Sequence, residues 1–172
     1  MAPFEVREAA LPADLADIER LWLEYLAWGN DEMAARHGFR VHATVRDAVA
    51  HDLAEIRQFQ PPDGRLVVVE AGGRIIGCGG LRRIGPEAGE IKRMYVEPAG
   101  RGFGAGQAIV DALIAGATDA GYRRVQLDSP DFMLAAHGLY RSRGFEPIDP
   151  YPESEVPAEL HGYWLFLGRT LE

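Results

Sequence analysis

The residues best suited to chemistry form a glycine-rich loop in the middle of the chain. Arg101 is followed by glycines at positions 102, 104 and 106, between a predicted strand and a predicted helix. Free N–H groups at a helix N-terminus attract anions, and the helix dipole strengthens that attraction. Glycines let the backbone approach a phosphate without an intervening Cβ, and Arg101 adds a positive charge that can reach the same oxygens. Residues 101–106 are therefore a candidate diphosphate site.

Three interpretations of this loop can be compared: a Walker loop, a dinucleotide-binding loop, and a turn that binds no ligand. A Walker loop ends in Gly-Lys-Ser/Thr, whereas here Gln107 and Ala108 follow the last glycine, which excludes it. A dinucleotide loop needs G-x-G-x-x-G. The first two glycines fit that pattern but Gln107 takes the third position, while Asp128 ends the next predicted strand, where a ribose-binding acid would lie. A glycine-rich turn without a ligand is the remaining alternative, because isolated glycine motifs often lack function.

The elements that must position this loop follow from hydrophobic periodicity and turn residues. Strands are predicted over residues 4–7, 66–71, 74–81, 90–96, 122–128 and 163–167. Helices are predicted over residues 11–28, from Thr44 to Ile56, from Gly106 to Gly121, and over residues 135–142. Loops are predicted at residues 29–30 and 37–38, and Gly72-Gly73 is a hairpin signal.

The order of these elements predicts an α/β fold with a mixed sheet. The strand–helix–strand unit from Glu90 to Asp128 requires a crossover connection, so its two strands are parallel. The hairpin before it and the late strand after it add antiparallel neighbours. With 172 residues, one domain covering residues 1–172 is expected.

Two segments resemble the signatures of the GNAT superfamily of acetyl-CoA-dependent N-acetyltransferases. Residues 94–106, Met-Tyr-Val-Glu-Pro-Ala-Gly-Arg-Gly-Phe-Gly-Ala-Gly, are similar to its acetyl-CoA-binding signature, whose core is Arg/Gln-x-x-Gly-x-Gly/Ala. Residues 136–145, Ala-His-Gly-Leu-Tyr-Arg-Ser-Arg-Gly-Phe, are similar to its second signature, and residues 76–81 resemble its third strand. The resemblance is strong over residues 66–145 and thin over the first sixty residues. Two signatures in the same order as in the family make the resemblance specific to that family.

The resemblance implies a GNAT-like mixed sheet with flanking helices, whose central parallel strands splay apart to bind acetyl-CoA. Residues 1–60 would hold the first strand and the acceptor-site helices. Residues 64–145 would form the acetyl-CoA-binding core, and residues 146–172 the C-terminal strands.

The resemblance also implies how the cosubstrate is held. Pantetheine would enter the gap between the splayed strands and pair with the backbone of Met94 and Val96. A backbone N–H of Met94 or Tyr95 would polarise the thioester carbonyl. Met133 stands where many relatives carry an asparagine that contacts pantetheine, so we expect this contact to be lost or replaced. The remaining implied cofactor-binding residues are Arg101, Gly102, Phe103, Gly104, Ala105, Gly106, Ala136 and Arg143.

Two residues match catalytic positions of the family. Tyr140 lies where relatives carry the proton donor to the departing sulfur. A phenol with a pKa of about 10 is a weaker acid than a thiol with a pKa of about 8.5, so it acts best as a positioned hydrogen-bond donor. Without the motif, Tyr140 would be interpreted as a core aromatic. Glu90 matches a catalytic glutamate of some members, and the alternatives are Glu70, Glu97, Asp128 or an ordered water.

The acceptor site is expected among the N-terminal helices and the C-terminal strand edge. Trp22, Tyr25 and Trp28 share a helix face at three-residue steps. We expect Trp22 in the core, and Tyr25 and Trp28 beside the acceptor, joined by Asp128 and Tyr151. A small-molecule amine such as an amino acid, polyamine or aminoglycoside-like compound is expected, with a protein N-terminus or lysine as the alternative.

Composition limits the remaining functions. A formal net charge of -8 argues against nucleic-acid partners. We expect a cytoplasmic protein without a membrane partner, because the N-terminus lacks a signal-peptide pattern, no apolar run reaches about 20 residues and Cys78 is the single cysteine. No metal is expected, since the histidines lack metal-ligand spacing. The resemblance also admits a homodimer, and a non-catalytic acetyl-CoA sensor or binding subunit is the alternative function.

Overall fold

Residues 3–172, which the computed structural model describes, contain seven strands and four α-helices. The strands are β1 (Phe4–Glu8), β2 (Arg65–Ala71), β3 (Arg74–Gly85), β4 (Ala88–Val96), β5 (Arg124–Pro130), β6 (Glu146–Pro147) and β7 (Trp164–Thr170). The helices are α1 (Leu15–His37), α2 (Val45–Ala54), α3 (Ala105–Asp119) and α4 (Leu134–Ser142).

The strands form a single mixed sheet in the order β1-β2-β3-β4-β5-β7-β6. Neighbours pair antiparallel except β4 and β5, which are parallel and are joined through α3. This arrangement confirms the predicted parallel pair and the mixed sheet. The predicted hairpin between β2 and β3 also forms, with φ of 58° at Gly72 and 77° at Gly73.

Each face of the sheet carries its own apolar cluster. On one face α3 buries Ile109, Val110 and Leu113 against the sheet, and Tyr140 of α4 belongs to the same cluster. On the other face α1 buries Ile18, Leu21 and Trp22, and α2 adds Val49. Trp22 is fully buried, as expected for a core residue. The gap between β4 and β5 therefore lies between two helical layers.

The first helix was predicted to end at Trp28, and this was wrong. The helix continues through Gly29 and Asn30 to His37, and Gly38 then ends it in the left-handed conformation. Asn30 is tolerated inside the helix because its buried amide bonds the backbone of Val41 and His42, and so anchors the following loop. The added turns are held by the fully buried Met33.

Other boundaries also differ from the pattern. The first helix begins at Leu15 rather than near Leu11, because Asp14 lies at its N-cap and bonds Arg7 of β1. The second helix ends at Ala54, and Ile56 starts a 3-10 turn. Strand β3 extends four residues beyond Leu81 to Gly85, and the two-residue strand β6 was not predicted.

Gly79 gives a test of how closely α3 packs on β3. A Cβ at this position would lie 2.6 Å from Ile109 Cγ2 and 3.1 Å from Leu113 Cδ1. We therefore expect Gly79→Ala to lower the free energy of unfolding by about 1–3 kcal/mol, measured by urea titration. Gly29→Ala is the control, because a Cβ there meets nothing within 4 Å and alanine favours the helix. Equal stability of the two variants would contradict the prediction.

Candidate active site

A wedge opens where β4 and β5 stop pairing. Their ladder has three pairs, the last being Glu90 with Gln126. Beyond that point β5 continues beside β7 as far as Pro130, and β4 continues beside β3 as far as Val96. Between the diverging strands lies a cavity of about 870 Å³, lined by residues from both strands and from α1, α3 and α4. The backbone edges of this wedge are open to a ligand, as the resemblance implies.

The glycine-rich loop lies at one end of this cavity. Gly102 and Gly104 have φ of 81° and 91°, a conformation that side chains other than glycine rarely adopt. Gly104 is the N-cap of α3, and within residues 3–172 no side chain caps the first turn of this helix. Gly102, Gly104 and Gly106 all line the cavity. A diphosphate fits this loop because the uncapped helix end supplies N–H donors.

Arg101 lines the cavity but does not extend along the loop. Its Nε donates to the carbonyl oxygen of Val96 at 2.9 Å. Its guanidinium carbon lies 5.2 Å from the ring centre of Trp28 and 5.5 Å from that of Tyr95. In this conformation the charge of Arg101 is directed to the aromatic wall, and its predicted contact with a diphosphate stays a prediction.

Three other predicted cofactor residues lie outside the cavity lining. Phe103 is 55% exposed on the outer side of the loop, and Ala105 is buried beneath it. Arg143 pairs with Asp111 of α3, with Nε 2.9 Å from the carboxylate, so its charge is already engaged. The predicted residues that do line the cavity, besides the three glycines and Arg101, are Met94, Tyr95, Val96, Met133 and Ala136.

Tyr140 lines the cavity from α4. The side chain is buried, and its hydroxyl donates to Met94 Sδ at 3.4 Å. Burial raises the pKa of Tyr140 well above its ordinary value, and Tyr25 and Asp128 add to the shift. The phenol therefore keeps its proton at neutral pH. It can donate a hydrogen bond to a sulfur atom, as it does here to Met94 Sδ.

Glu90 lies where β4 and β5 separate. Its side chain is fully buried, with Arg82 Nη2 at 3.3 Å and Lys92 Nζ at 3.6 Å from its carboxylate oxygens. Burial raises the pKa of Glu90 above its usual range, although Lys92 and Arg82 oppose this shift. Glu90 is among the lining residues, but its carboxylate is buried and is held by two cations.

Asp128 differs from the other carboxylates proposed as a base. Glu70 pairs with Arg7, and Glu97 is bound by Arg20 and Arg74, and neither glutamate lines the cavity. Asp128 lines it and accepts a hydrogen bond from Ser154 Oγ at 2.9 Å. In the part of the chain that the structure describes, no lysine, arginine or histidine pairs with Asp128.

The predicted acceptor residues divide into two groups. Tyr25 and Trp28 line the cavity and pack near Tyr95, with ring centres 5.7 and 6.5 Å from it. Trp28 lies inside α1 rather than at its end. Tyr151 does not line the cavity, because it is buried against Phe166 behind the wall.

Sequence reasoning missed most of the acceptor-side wall. Met33, Val41 and His42 line the cavity from the end of α1 and the loop after it. Residues 155–157, together with Leu160 and Trp164, line it from the C-terminal segment. The buried Asn30 fixes the His42 loop, and burial lowers the pKa of His42 below its ordinary value, an effect to which Arg93 adds. The sequence signal that could have revealed this part of the wall was Asn30, a polar residue within the apolar periodicity of the helix.

The end of α1 contacts the opposite side of the wedge. His37 Nε2 lies 3.0 Å from a carboxylate oxygen of Asp131, in the connection between β5 and α4. The rings of Trp28 and Phe132 meet edge-to-face at 5.3 Å, and Arg36 lies over Phe132. These contacts cross the gap from the α1 side to the α4 side.

Two further features bear on the site and its setting. Over the described positions, 3–172, no group of three or more His, Cys, Asp or Glu side chains could hold a metal ion. Within that same range, no helix has the length and apolar character needed to cross a bilayer.

Comparisons with known proteins agree with this geometry. The chain matches the model of the Acetyltransferase (GNAT) family over residues 27–145. It is 32% identical over 149 residues to an uncharacterized N-acetyltransferase of Schizosaccharomyces pombe, covering 86% of this chain and 85% of that protein. It is 31% identical over 109 residues to the IAA acetyltransferase of Azospirillum brasilense, covering 60% of this chain and 71% of that protein.

Solved structures show the same fold. A GNAT-family acetyltransferase from Staphylococcus aureus has a TM-score of 0.74 at 18% identity, covering 99% of this chain and 100% of that chain. The PaiA N-acetyltransferase of Thermoplasma acidophilum, solved in complex with coenzyme A, has a TM-score of 0.74 at 15% identity, covering 98% of this chain and 99% of that chain.

Proposed function

The chain belongs to the Acetyltransferase (GNAT) family of acetyl-CoA-dependent enzymes, and from this premise we propose that its acceptor is the primary amine of a small molecule. The observation that carries the proposal is the set of contacts by which the end of α1 reaches the β5–α4 connection across the wedge. A peptide acceptor needs an open groove for the chain on both sides of the reacting amine. Contacts from α1 to the β5–α4 connection, and a cavity wall formed by the C-terminal segment, favour a compact ligand over an extended peptide.

Different residues of the chain bind acetyl-CoA and take part in acetyl transfer. The amides at the start of α3 bind the diphosphate, and the edge of β4 from Met94 to Val96 pairs with pantetheine. Acetyl-CoA supplies the activated acetyl group. The ammonium form of the acceptor first loses one proton. The neutral nitrogen then attacks the thioester carbonyl carbon, the carbon–sulfur bond breaks, and the nitrogen loses a second proton. Tyr140 donates a hydrogen bond, and finally a proton, to the departing sulfur.

The proton of the amine can leave by three routes. Glu90 is basic because of its burial but is held by Arg82 and Lys92. Asp128 lacks a cationic partner among the described residues and faces the same cavity. An ordered water is the third route. We propose Asp128 as the group that attracts the ammonium form of the acceptor, because an unpaired carboxylate favours a cation.

Replacing Asp128 tests this role. We expect Asp128→Asn to raise KM for the amine by about 10- to 100-fold, because a hydrogen bond to a charged group contributes about 1.5–3 kcal/mol. Ser154→Ala is the matched control, since it removes the hydrogen bond that Asp128 accepts from Ser154 but keeps the carboxylate. Initial rates over a range of amine concentrations measure both. An equal rise of KM in the two variants would mean that Asp128 only anchors the C-terminal segment.

An acceptor screen tests the proposed function itself. Acetyl-CoA is incubated with amino acids, polyamines and aminoglycosides, and in parallel with peptides that have a free N-terminus or a lysine. Released coenzyme A thiol is then measured. We expect turnover with a small amine and none with the peptides. Turnover with peptides alone would assign a protein acetyltransferase, and acetyl-CoA binding without thiol release would assign a sensor or binding subunit.

The cellular setting is part of the same proposal. A free, buried cysteine suits a reducing compartment, and we propose that the protein acts in the cytoplasm. The acidic balance of -8 supports function without nucleic acid. A homodimer is the proposed assembly, which size-exclusion chromatography with light scattering would test.

A further inference from the structure

An ion pair links α2 to the middle of β4. Arg93 Nε and Nη2 lie 2.6 and 2.5 Å from Asp52 Oδ2. The two side chains are only 15% and 13% exposed, which separates this pair from the surface ion pairs of the molecule. Asp52 does not line the cavity, whereas Arg93 does. Asp52 therefore contacts the cavity wall through Arg93, and its charge also opposes the lowered pKa of His42, another lining residue.

The register of β3 and β4 changes beside this pair. Cys78 pairs with Tyr95 and Gly80 pairs with Lys92, so one residue of β3 faces two residues of β4, Arg93 and Met94. Arg93 has φ of 53° and is the single non-glycine residue with positive φ in the range 3–172. Side chains other than glycine are strained there because the Cβ approaches a neighbouring carbonyl oxygen. The extra residue forms a β-bulge.

The bulge changes which way the following side chains point. Ile91 packs on the α3 face of the sheet, so alternation places Lys92 on the α1 and α2 face. Arg93 lies on that second face too, because it contacts Asp52 of α2. Met94 then packs on the α3 face beside Tyr140, and Tyr95 packs with α1. Strict alternation would exchange the faces of Met94 and Tyr95.

We propose that Asp52 is a positioning residue for acetyl transfer, which holds the β4 bulge through Arg93. The ion pair offsets the strain of the left-handed arginine, and Cys78 assists by directing its S–H to the carbonyl oxygen of Arg93 at 3.6 Å. The bulge in turn orients the backbone at Met94 and Tyr95 toward the wedge and keeps Met94 beside the phenol. This inference rests on acetyl transfer itself and is independent of the acceptor's identity.

The decisive comparison is between two substitutions of Arg93. Both Arg93→Ala and Arg93→Gly remove the ion pair, but glycine adopts positive φ without strain. We therefore expect Arg93→Gly to keep the bulge and Arg93→Ala to lose it. For the same reason, Asp52→Asn alone should lose the bulge, and the double variant with Arg93→Gly should recover it. A residue that merely stabilised the fold, or that only contacted substrate, would give no such recovery.

Two spectroscopic readouts follow the bulge without an acceptor. In the ligand-free protein, the ¹H–¹⁵N amide signals of Met94 and Tyr95 should shift in Asp52→Asn and return in the double variant. In the bound state, the ¹³C signal of carbonyl-labelled acetyl-CoA should move toward its value in free solution in Asp52→Asn. Turnover with an amine from the acceptor screen should fall about 10-fold in Asp52→Asn, because small misplacements of reacting groups reduce rates strongly.

Asp14→Asn is the matched control, because Asp14 forms another largely buried pair, with Arg7, beyond the cavity lining. We expect it to lower stability and to leave all three readouts unchanged. Unchanged amide and carbonyl signals in Asp52→Asn would overturn the proposal, as would equal effects of Arg93→Gly and Arg93→Ala. If Asp52→Asn does not fold, the two Arg93 variants decide alone. If no amine is acetylated, the spectra still decide, while the proposed acceptor class fails separately.

Discussion

We expect Tyr140→Phe to lower kcat by about 100-fold while leaving the affinity for acetyl-CoA nearly unchanged, because a proton donor to a leaving group contributes about that factor. The ring of phenylalanine keeps the contact with Phe145, so only the hydroxyl beside Met94 is lost. Burial raises the pKa of Tyr140, so the donor form persists as pH rises. The tyrosine should therefore cause no loss of kcat below about pH 10.

The measurement combines steady-state kinetics with calorimetric titration of acetyl-CoA. Tyr122→Phe is the control, since Tyr122 is also buried and its hydroxyl donates to the carbonyl oxygen of Asp63, outside the cavity. That variant should lose stability but keep kcat. Unchanged turnover in Tyr140→Phe would remove the phenol from the mechanism and favour a binding protein on the same fold.

The second large effect is expected at the start of α3. Gly104→Val should weaken acetyl-CoA binding by more than about 100-fold. Backbone strain at such a site amounts to about 1–3 kcal/mol, and amides that are displaced lose charge-assisted hydrogen bonds to the diphosphate. Gly104 has φ of 91°, and an added Cβ would meet no atom closer than 3.9 Å. Crowding inside the protein is therefore small, and the effect comes from the backbone conformation. Calorimetric titration with acetyl-CoA measures it.

Gly121→Val is the matched control for the loop. Gly121 follows the other end of α3 with φ of 78°, and an added Cβ there meets nothing within 4 Å. Its backbone strain should reduce stability comparably, but acetyl-CoA affinity should remain. Retained affinity in Gly104→Val would mean that the diphosphate lies elsewhere. A thermal shift with NAD or NADP, but none with acetyl-CoA, would contradict the whole assignment.

Local patterns predicted the elements that carry the cosubstrate site. The continuous β-branched run of β2, the glycines before α3 and the apolar face of α3 each specify their element within a few residues. The parallel pairing of β4 and β5 followed from connectivity alone. These features depend on near neighbours in the sequence, so one sequence was enough to predict them.

The acceptor side could not be predicted because it depends on contacts between distant residues. Asn30 favours a loop by its type, and only its bonds to Val41 and His42 explain its place in a helix. Tyr151 was predicted beside the acceptor from its loop, yet it is buried against Phe166 and does not line the cavity. The position of the Arg101 guanidinium over two aromatic rings also depends on a residue of α1, which the loop sequence does not reveal.

The bulge in β4 left a trace in the sequence that periodicity alone did not use. Lys92 and Arg93 are consecutive charged residues between the buried Ile91 and the partly buried Met94, which breaks strict alternation. Both faces of β4 pack against apolar clusters, so two consecutive charged residues interrupt its apolar pattern, and the bulge places both side chains on the same side. The partner that makes this arrangement stable, Asp52, is 41 residues away and carries no local signal.

The thiol beneath the bulge makes the protein unusually convenient to assay. Cys78 is fully buried, and burial raises its pKa to about 12, so almost no nucleophilic thiolate is present at neutral pH. A colorimetric disulfide reagent added to the native enzyme should therefore react with liberated coenzyme A and leave the protein unlabelled. The same reagent would react with one equivalent of protein sulfur only after denaturation, so a single dye reports both catalysis and the intact fraction of each variant.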